Sequence, residues 1–187
     1  MSSRPITRAW AVVLAAGLAA ACVGSAAAPG PSSGSREPAP TPLAAPRFTP
    51  ARGWHTAATG AATVRPIVPS AIAANFRVHT PPGLFPSRSD LRRLPARGVV
   101  ITVSVWPSAH GFDLRAHPRR ELPLRFAESQ PGRRFDAVPA SARWYVLGAR
   151  VHGRIVEVDT FVNRRTPATA LRGLIQSELD RIVIRTG

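Results

Sequence analysis

Residues 143–162, RWYVLGARVHGRIVEVDTFV, constrain the fold more than any other stretch. Placing a two-residue turn at His152-Gly153 sets Val151 opposite Arg154, Ala149 opposite Val156, Leu147 opposite Val158 and Tyr145 opposite Thr160. That face is largely apolar. The other face pairs Arg150 with Ile155, Gly148 with Glu157, Val146 with Asp159 and Trp144 with Phe161. A one-residue slip would move every side chain to the wrong face and scramble both sets. The spacing therefore predicts a β-hairpin with one core-facing side and one mixed side.

A helix is predicted next. Thr166 suits an N-cap and Pro167 the first helical position. Leu171, Leu174, Ile175, Leu179 and Ile182 recur at helical spacing and form a stripe for the hairpin's apolar face. Gly173 lies within this helix, where a missing side chain permits close approach to a sheet. Upstream, Val99, Ile101, Val103 and Val105 alternate with Val100, Thr102, Ser104 and Trp106. A strand rich in β-branched residues on both faces belongs in the middle of a sheet, and Pro107 ends it. Before it, PSRSDLRRLP (residues 86–95) predicts a short helix capped by Ser87, with Asp90 near its positive end and Pro95 as its stop. Leu122, Leu124 and Phe126 alternate as a further strand, and Pro123 assigns it to an edge. Residues 54–59 and 72–76 are weaker early strands. The fold class is α+β: an antiparallel sheet with a C-terminal helix packed on one face and a short helix before the central strand.

The N-terminal third reads differently. Arg4 and Arg8 precede an uncharged stretch from residue 9 to residue 35. Its apolar part, residues 10–21, has the length of a signal-peptide core and is short for a membrane span. Ala19, Ala20 and Ala21 lead into Cys22, the chain's single cysteine. That arrangement resembles a bacterial lipoprotein signal, which implies lipidation of Cys22. The position three before the cysteine, usually leucine, is Ala19. Plain secretion with cleavage at an Ala-x-Ala site, and a retained membrane anchor, are the alternatives. One cysteine excludes an intrachain disulfide, so stability must come from a core. Seven prolines between residues 29 and 50, set among Ala, Ser, Gly and Thr, predict a semi-stiff extended spacer. The expected organisation is a signal peptide over 1–21, a tether over 22–47 and one domain over 48–187. The localisation that follows is the outer face of the cell membrane, or the extracellular space.

The domain resembles a family of secreted or lipid-anchored actinobacterial proteins through GWH (residues 53–55), LPARGVVITVSVW (residues 94–106) and the closing hairpin-helix that ends in ELDRIVI (residues 178–184). That resemblance implies export and implies no activity. The hairpin-helix is also similar to the ending of MOG1/PsbP-like domains, which implies a fold used mainly for binding.

Chemistry-bearing patterns are sparse. His55, His79, His110, His117 and His152 have no metal-ligand spacing, and the residues point to no metal site and no cofactor. Glu157 and Asp159 point the same way from one strand, roughly 7 Å apart. Paired carboxylates can serve as general acid and base, but neutralisation by arginines such as Arg150 is the plainer expectation. No serine elbow and no phosphate-cradling loop occurs. The aromatic pair Trp144 and Phe161, with Val146 and Ile155, forms a candidate ligand or partner surface, provided that no other segment covers it.

All 25 basic residues are arginine and the net charge is +15. Loss of residues 1–21 would remove only two of them. A GC-rich genome explains such a bias without function. The alternative is an anion-binding surface, since guanidinium groups fork onto phosphate and carboxylate. The candidate arginines are Arg119, Arg120, Arg133, Arg134, Arg164 and Arg165. The expected partners are the membrane, through the lipid, and an envelope protein or anionic polymer. Nucleic acid is disfavoured because the chain reads as exported and its arginines lack interleaved aromatics. These observations favour a non-enzymatic binding domain. A hydrolase with dispersed catalytic residues is the competing expectation, and a pocket joining Glu157 or Asp159 to a histidine would raise it.

Overall fold

A computed structural model describes residues 45–60, 68–79, 85–106, 112–133 and 136–184. The expected signal segment, Cys22, most of the tether, His110 and Arg134 lie outside these residues.

Among the described residues the chain forms eight strands and two α-helices. In chain order these are β1 (Arg47–Phe48), β2 (His55–Gly60), β3 (Pro69–Ala74), α1 (Arg88–Arg92), β4 (Val99–Trp106), β5 (Gln130–Pro131), β6 (Ala142–Val151), β7 (Arg154–Asn163), α2 (Ala168–Leu179) and β8 (Ile182–Val183). Six strands make one antiparallel sheet in the order β2-β3-β4-β7-β6-β5, and β1 pairs with β8 in a second. No helix among the described residues is long and apolar enough to cross a membrane.

The hairpin has the register that its sequence predicts, from Val151↔Arg154 to Trp144↔Phe161. His152 and Gly153 both have positive φ, 49° and 78°. That geometry is what a two-residue turn needs to match the twist of the flanking strands. β4 lies inside the sheet, between β3 and β7, and is buried along nearly its whole length. Leu171, Ile175 and Leu179 of α2 pack over Leu147, Ala149, Val156 and Val158 of the hairpin and Val103 of β4. Each of the leucine, isoleucine and valine side chains among these contributes about 1.5–3 kcal/mol when fully buried. α1 begins where Ser87 Oγ accepts from the Asp90 amide at 3.1 Å. Its Leu91 fills a second, smaller core with Leu94, Val100 and Phe161 on the opposite face of the sheet.

Four local expectations are corrected. Leu124 and Phe126 are buried as alternation requires, but no strand forms there. The Leu122–Pro123 peptide is cis, and a 3₁₀ turn spans Phe126–Glu128. The backbone finds its partner in a side chain: Gln176 Oε1 accepts from the Phe126 amide at 2.9 Å, and Gln176 Nε2 donates to the Leu124 carbonyl at 2.9 Å. One amide thus takes the place of a ladder neighbour. Pro167, rather than Thr166, occupies the cap of α2, because the Thr166 hydroxyl donates to the Ala96 carbonyl instead. Gly173 faces solvent, with nothing near the position of a Cβ, so it eases no close approach. Ile182 belongs to β8, since α2 stops at Leu179.

β1 and β8 close the base. Phe48 pairs with Ile182 and enters the core under α2. Beside it, Glu178 is fully buried. Its Oε2 accepts from the Ala51 amide at 3.3 Å, while Oε1 has no partner. Burial raises the Glu178 pKa, against the opposing pull of the Ala51 N–H and Arg181.

Two substitutions on α2 should move stability in opposite directions. Gln176→Ala strands a buried amide and a carbonyl and should cost about 1–3 kcal/mol. Gly173→Ala should stabilise by about 0.5–1 kcal/mol through helix propensity. Urea unfolding of the two variants beside the parent chain measures both.

Candidate functional site: an arginine groove backed by a buried carboxyl group

The sheet face opposite α2 is built in rows. Ser70, Ser104, Glu157 and Gly148 form one cross-strand row; Ile72, Thr102, Asp159 and Val146 form the next; Ala74, Val100, Phe161 and Trp144 form a third. Ser70, Thr102, Ser104 and Asp159 are all buried. The Ser70 and Ser104 hydroxyls lie 3.0 Å apart and satisfy one another. Thr102 Oγ1 has no partner. A buried hydroxyl left unbonded costs about 1–3 kcal/mol, so the middle of this face is polar at an energetic penalty.

Each of the two carboxylates is held by a tryptophan. Glu157 Oε2 accepts from Trp106 Nε1 at 2.8 Å, and its Oε1 lies 3.5 Å from His117 Nε2. His117 Nδ1 is 2.9 Å from the Asp113 carbonyl, which can only accept. Nδ1 therefore carries the proton, and Nε2 gains one only in the imidazolium. A Cβ on Gly148 would come within 2.6 Å of the Ala116 carbonyl and 2.8 Å of the His117 ring. Glycine at this position lets the 112–120 segment lie flat on the sheet. Arg150 fastens the same segment, with Nε donating to the His117 carbonyl at 2.9 Å. The expected neutralisation of Glu157 by Arg150 is thus replaced by contacts to Trp106 and His117. His117 is 7% exposed, and neither groove described below is lined by it, Glu157 or Asp159. The arrangement acts as a fastening, with no substrate-sized opening onto it from either groove.

Asp159 Oδ1 accepts from Trp144 Nε1 at 2.8 Å. Burial pushes its pKa from 3.8 up to about 7; the Trp144 bond works against that rise and the Glu157 charge adds to it. Trp144 stacks on Phe161 with ring centroids 6.2 Å apart, and Phe85 meets both rings edge-on. A Cβ on Gly132 would collide with the Trp144 ring, so the glycine backbone closes one side of the indole.

This geometry corrects the expected ligand surface. Phe161 and Ile155 are fully buried, while Trp144 and Val146 are half-buried. Phe85, Leu91 and Leu94 cover the Phe161 end of the face, from a segment about 70 residues earlier in the chain. The aromatic pair is interior, and only part of Trp144 reaches a cavity.

That cavity is an open groove of about 780 Å³. Arg88 of α1, Arg133 after β5, Arg143 at the start of β6 and Arg164 after β7 line it, with Trp144, Tyr145 and Asp136. All four arginines are exposed, and none forms an ion pair among the described residues. Arg119 and Arg120 line a second groove of about 970 Å³ with Arg150, Leu114 and Leu122, and Arg120 is paired with Glu128. Arg165 is exposed, its amide held by Asn163 Oδ1 at 2.9 Å, and it lines neither groove. Four of the candidate arginines therefore divide between two grooves, Arg119 and Arg120 in one and Arg133 and Arg164 in the other. Arg133 and Arg164 meet, joined by Arg88 and Arg143, which carried no signal in sequence because each stands apart from the doublets.

Among the described residues, no three His, Cys, Asp or Glu side chains are placed to share a metal ion. His55 is exposed on the outer strand β2, His79 is exposed 3.9 Å from Asp90, and His152 sits in the hairpin turn. No family model, curated protein or solved structure matches the chain.

The raised carboxyl group sets a pH dependence of stability. The folded pKa of Asp159, about 7, lies above the unfolded value of 3.8, so between them the folded chain keeps a proton that the unfolded chain releases. Stability from this group is full below about pH 4 and is lost as pH rises through 7. Glu178 contributes in the same direction. Asp159→Asn keeps an acceptor for Trp144 without the charge. It should remove most of this slope and be more stable than the parent at pH 8 by on the order of 3 kcal/mol. Chemical unfolding at pH 4, 6 and 8 measures the difference.

Proposed function

We propose that this chain is a non-enzymatic binding domain of the cell envelope whose ligand is an anion seated in the arginine groove. The observation that carries the reading is the meeting of Arg88, Arg133, Arg143 and Arg164 around one cavity with a single carboxylate, Asp136, among its lining residues. Four guanidinium groups from four separate segments lack ion-pair partners among the described residues; Arg164 Nη1 donates to the Ala140 carbonyl at 3.4 Å, and its remaining donors and those of the other three can serve an incoming anion. Their scatter over α1, the β5–β6 connection, β6 and the β7–α2 connection gives a broad positive field suited to an extended, multiply charged ligand. A phosphate- or carboxylate-bearing envelope polymer has that chemistry. The rim of Trp144 supplies an apolar edge beside the charges.

Export and lipid attachment at Cys22 complete the proposal, on the support of the basic start, the apolar run, the Ala-Ala-Ala-Cys sequence and the proline-rich spacer. A tethered groove would then meet its ligand at the membrane surface. Lipidation predicts that radiolabelled fatty acid enters the wild-type chain expressed in an actinobacterial host and fails to enter Cys22→Ala.

Binding is tested on the purified full-length chain with immobilised polyphosphate. Retention should be strong at low salt and fall steeply as ionic strength screens the charges. Arg88→Gln, Arg133→Gln, Arg143→Gln and Arg164→Gln should each weaken binding by about fivefold, the effect of roughly 1 kcal/mol per arginine near an anionic surface. Arg172→Gln, exposed on α2 away from the groove, should leave binding within about twofold. Equal losses in all five variants would show diffuse charge attraction and overturn the assignment to the groove.

A further inference from the structure

We propose that anion occupancy of the arginine groove is coupled through Trp144 to the proton on Asp159, so that the groove holds its ligand more tightly when that carboxyl is protonated. This rests on the anion-binding reading above and adds a regulator to the same site.

The coupling has a physical route. Trp144 lines the groove and donates its indole N–H to Asp159. Phe161, Phe85 and the Gly132 backbone hold the ring, so Asp159 and the groove share one fixed wall. An ionised Asp159 places a negative charge in a poorly solvated interior behind that wall, where its field opposes an anion in front of it. Protonation removes that charge. Thr102 is the cross-strand partner of Asp159, and its buried hydroxyl makes no hydrogen bond to that carboxyl, so the Trp144 N–H is the side-chain contact that ties Asp159 to the groove wall.

The charged surroundings are few. Glu157 lies two residues along the same strand, with His117 beyond it on the 112–120 segment. β4 presents Thr102 and Ser104, and β6 presents Val146 and Gly148. α1 carries Asp90, whose carboxylate accepts from Ser87 and the His79 amide. The groove arginines Arg88, Arg133, Arg143 and Arg164 line the same cavity as Trp144. Burial places the Asp159 transition near neutrality, at about pH 7.

The test uses a heparin-derived tetrasaccharide, whose sulfates stay ionised, and the full-length chain at constant ionic strength from pH 5.5 to 8.5. The dissociation constant of the wild type should rise about tenfold across this range, within the usual size of a coupling between sites. Asp159→Asn should bind with a nearly flat profile, as tightly as the wild type at pH 5.5. His117→Gln should retain the wild-type slope. A wild-type profile that is flat, or one whose slope survives in Asp159→Asn, overturns the coupling. If the four groove-arginine variants still weaken binding in that case, the anion-binding reading stands without it. Absence of binding at every pH overturns both.

Discussion

The register between β6 and β7 determines what each face of the sheet can be. With Leu147 opposite Val158 and Ala149 opposite Val156, one side is apolar and accepts the stripe on α2. The same pairing aligns Trp144 with Phe161 and sets Glu157 and Asp159 on the reverse. A slip by one residue would drive Asp159 beneath the helix and expose Val158, a double penalty of charge burial and lost apolar contact. The hairpin thus acts as a ruler for the whole molecule. β4 reads its spacing on one flank, β5 on the other, and the cavity at the β6 end inherits its position from both.

The two faces are stabilised on different principles. Under α2 the core is mainly aliphatic, joined at its edges by Phe48, Trp54 and Phe126 and by the buried Glu178. The reverse face mixes an aromatic cluster with serines, a threonine and two carboxylates. Its tryptophans serve two roles, filling volume with the ring and satisfying a carboxylate with the N–H. Trp106 does this for Glu157 and Trp144 for Asp159. Such a face is less stable than an aliphatic one would be, which is the expected condition of a surface kept for something besides folding.

Where a local pattern and its tertiary setting agreed, the sequence was legible. The hairpin register, the Ser87 cap of α1 and the interior position of β4 all follow from short-range spacing. The alternation of Leu122, Leu124 and Phe126 was legible as burial but not as a strand, because the partner of that backbone is the Gln176 side chain from a helix 50 residues later. Thr166 looked like a cap until a carbonyl at Ala96 offered its hydroxyl a better partner. In sequence the Trp144–Phe161 face is a surface only if no distant segment covers it, and nothing near it in the chain decides that. Phe85 and Leu91 cover it from across the fold. The groove was half legible. Doublets drew attention to Arg133 and Arg164, whereas Arg88 and Arg143 join them only through the geometry of the sheet edge.

The two-stranded sheet at the base has a mechanical consequence. Arg47 pairs with Val183 and Phe48 with Ile182, in a ladder separate from the six-stranded sheet. Around that ladder Phe48 enters the core, and the Thr49 and Ala51 amides donate to the Arg181 carbonyl and the Glu178 carboxylate. The first and last described strands are thus clasped to one another: losing either two-residue strand unpairs the other, and the two stand or fall as one.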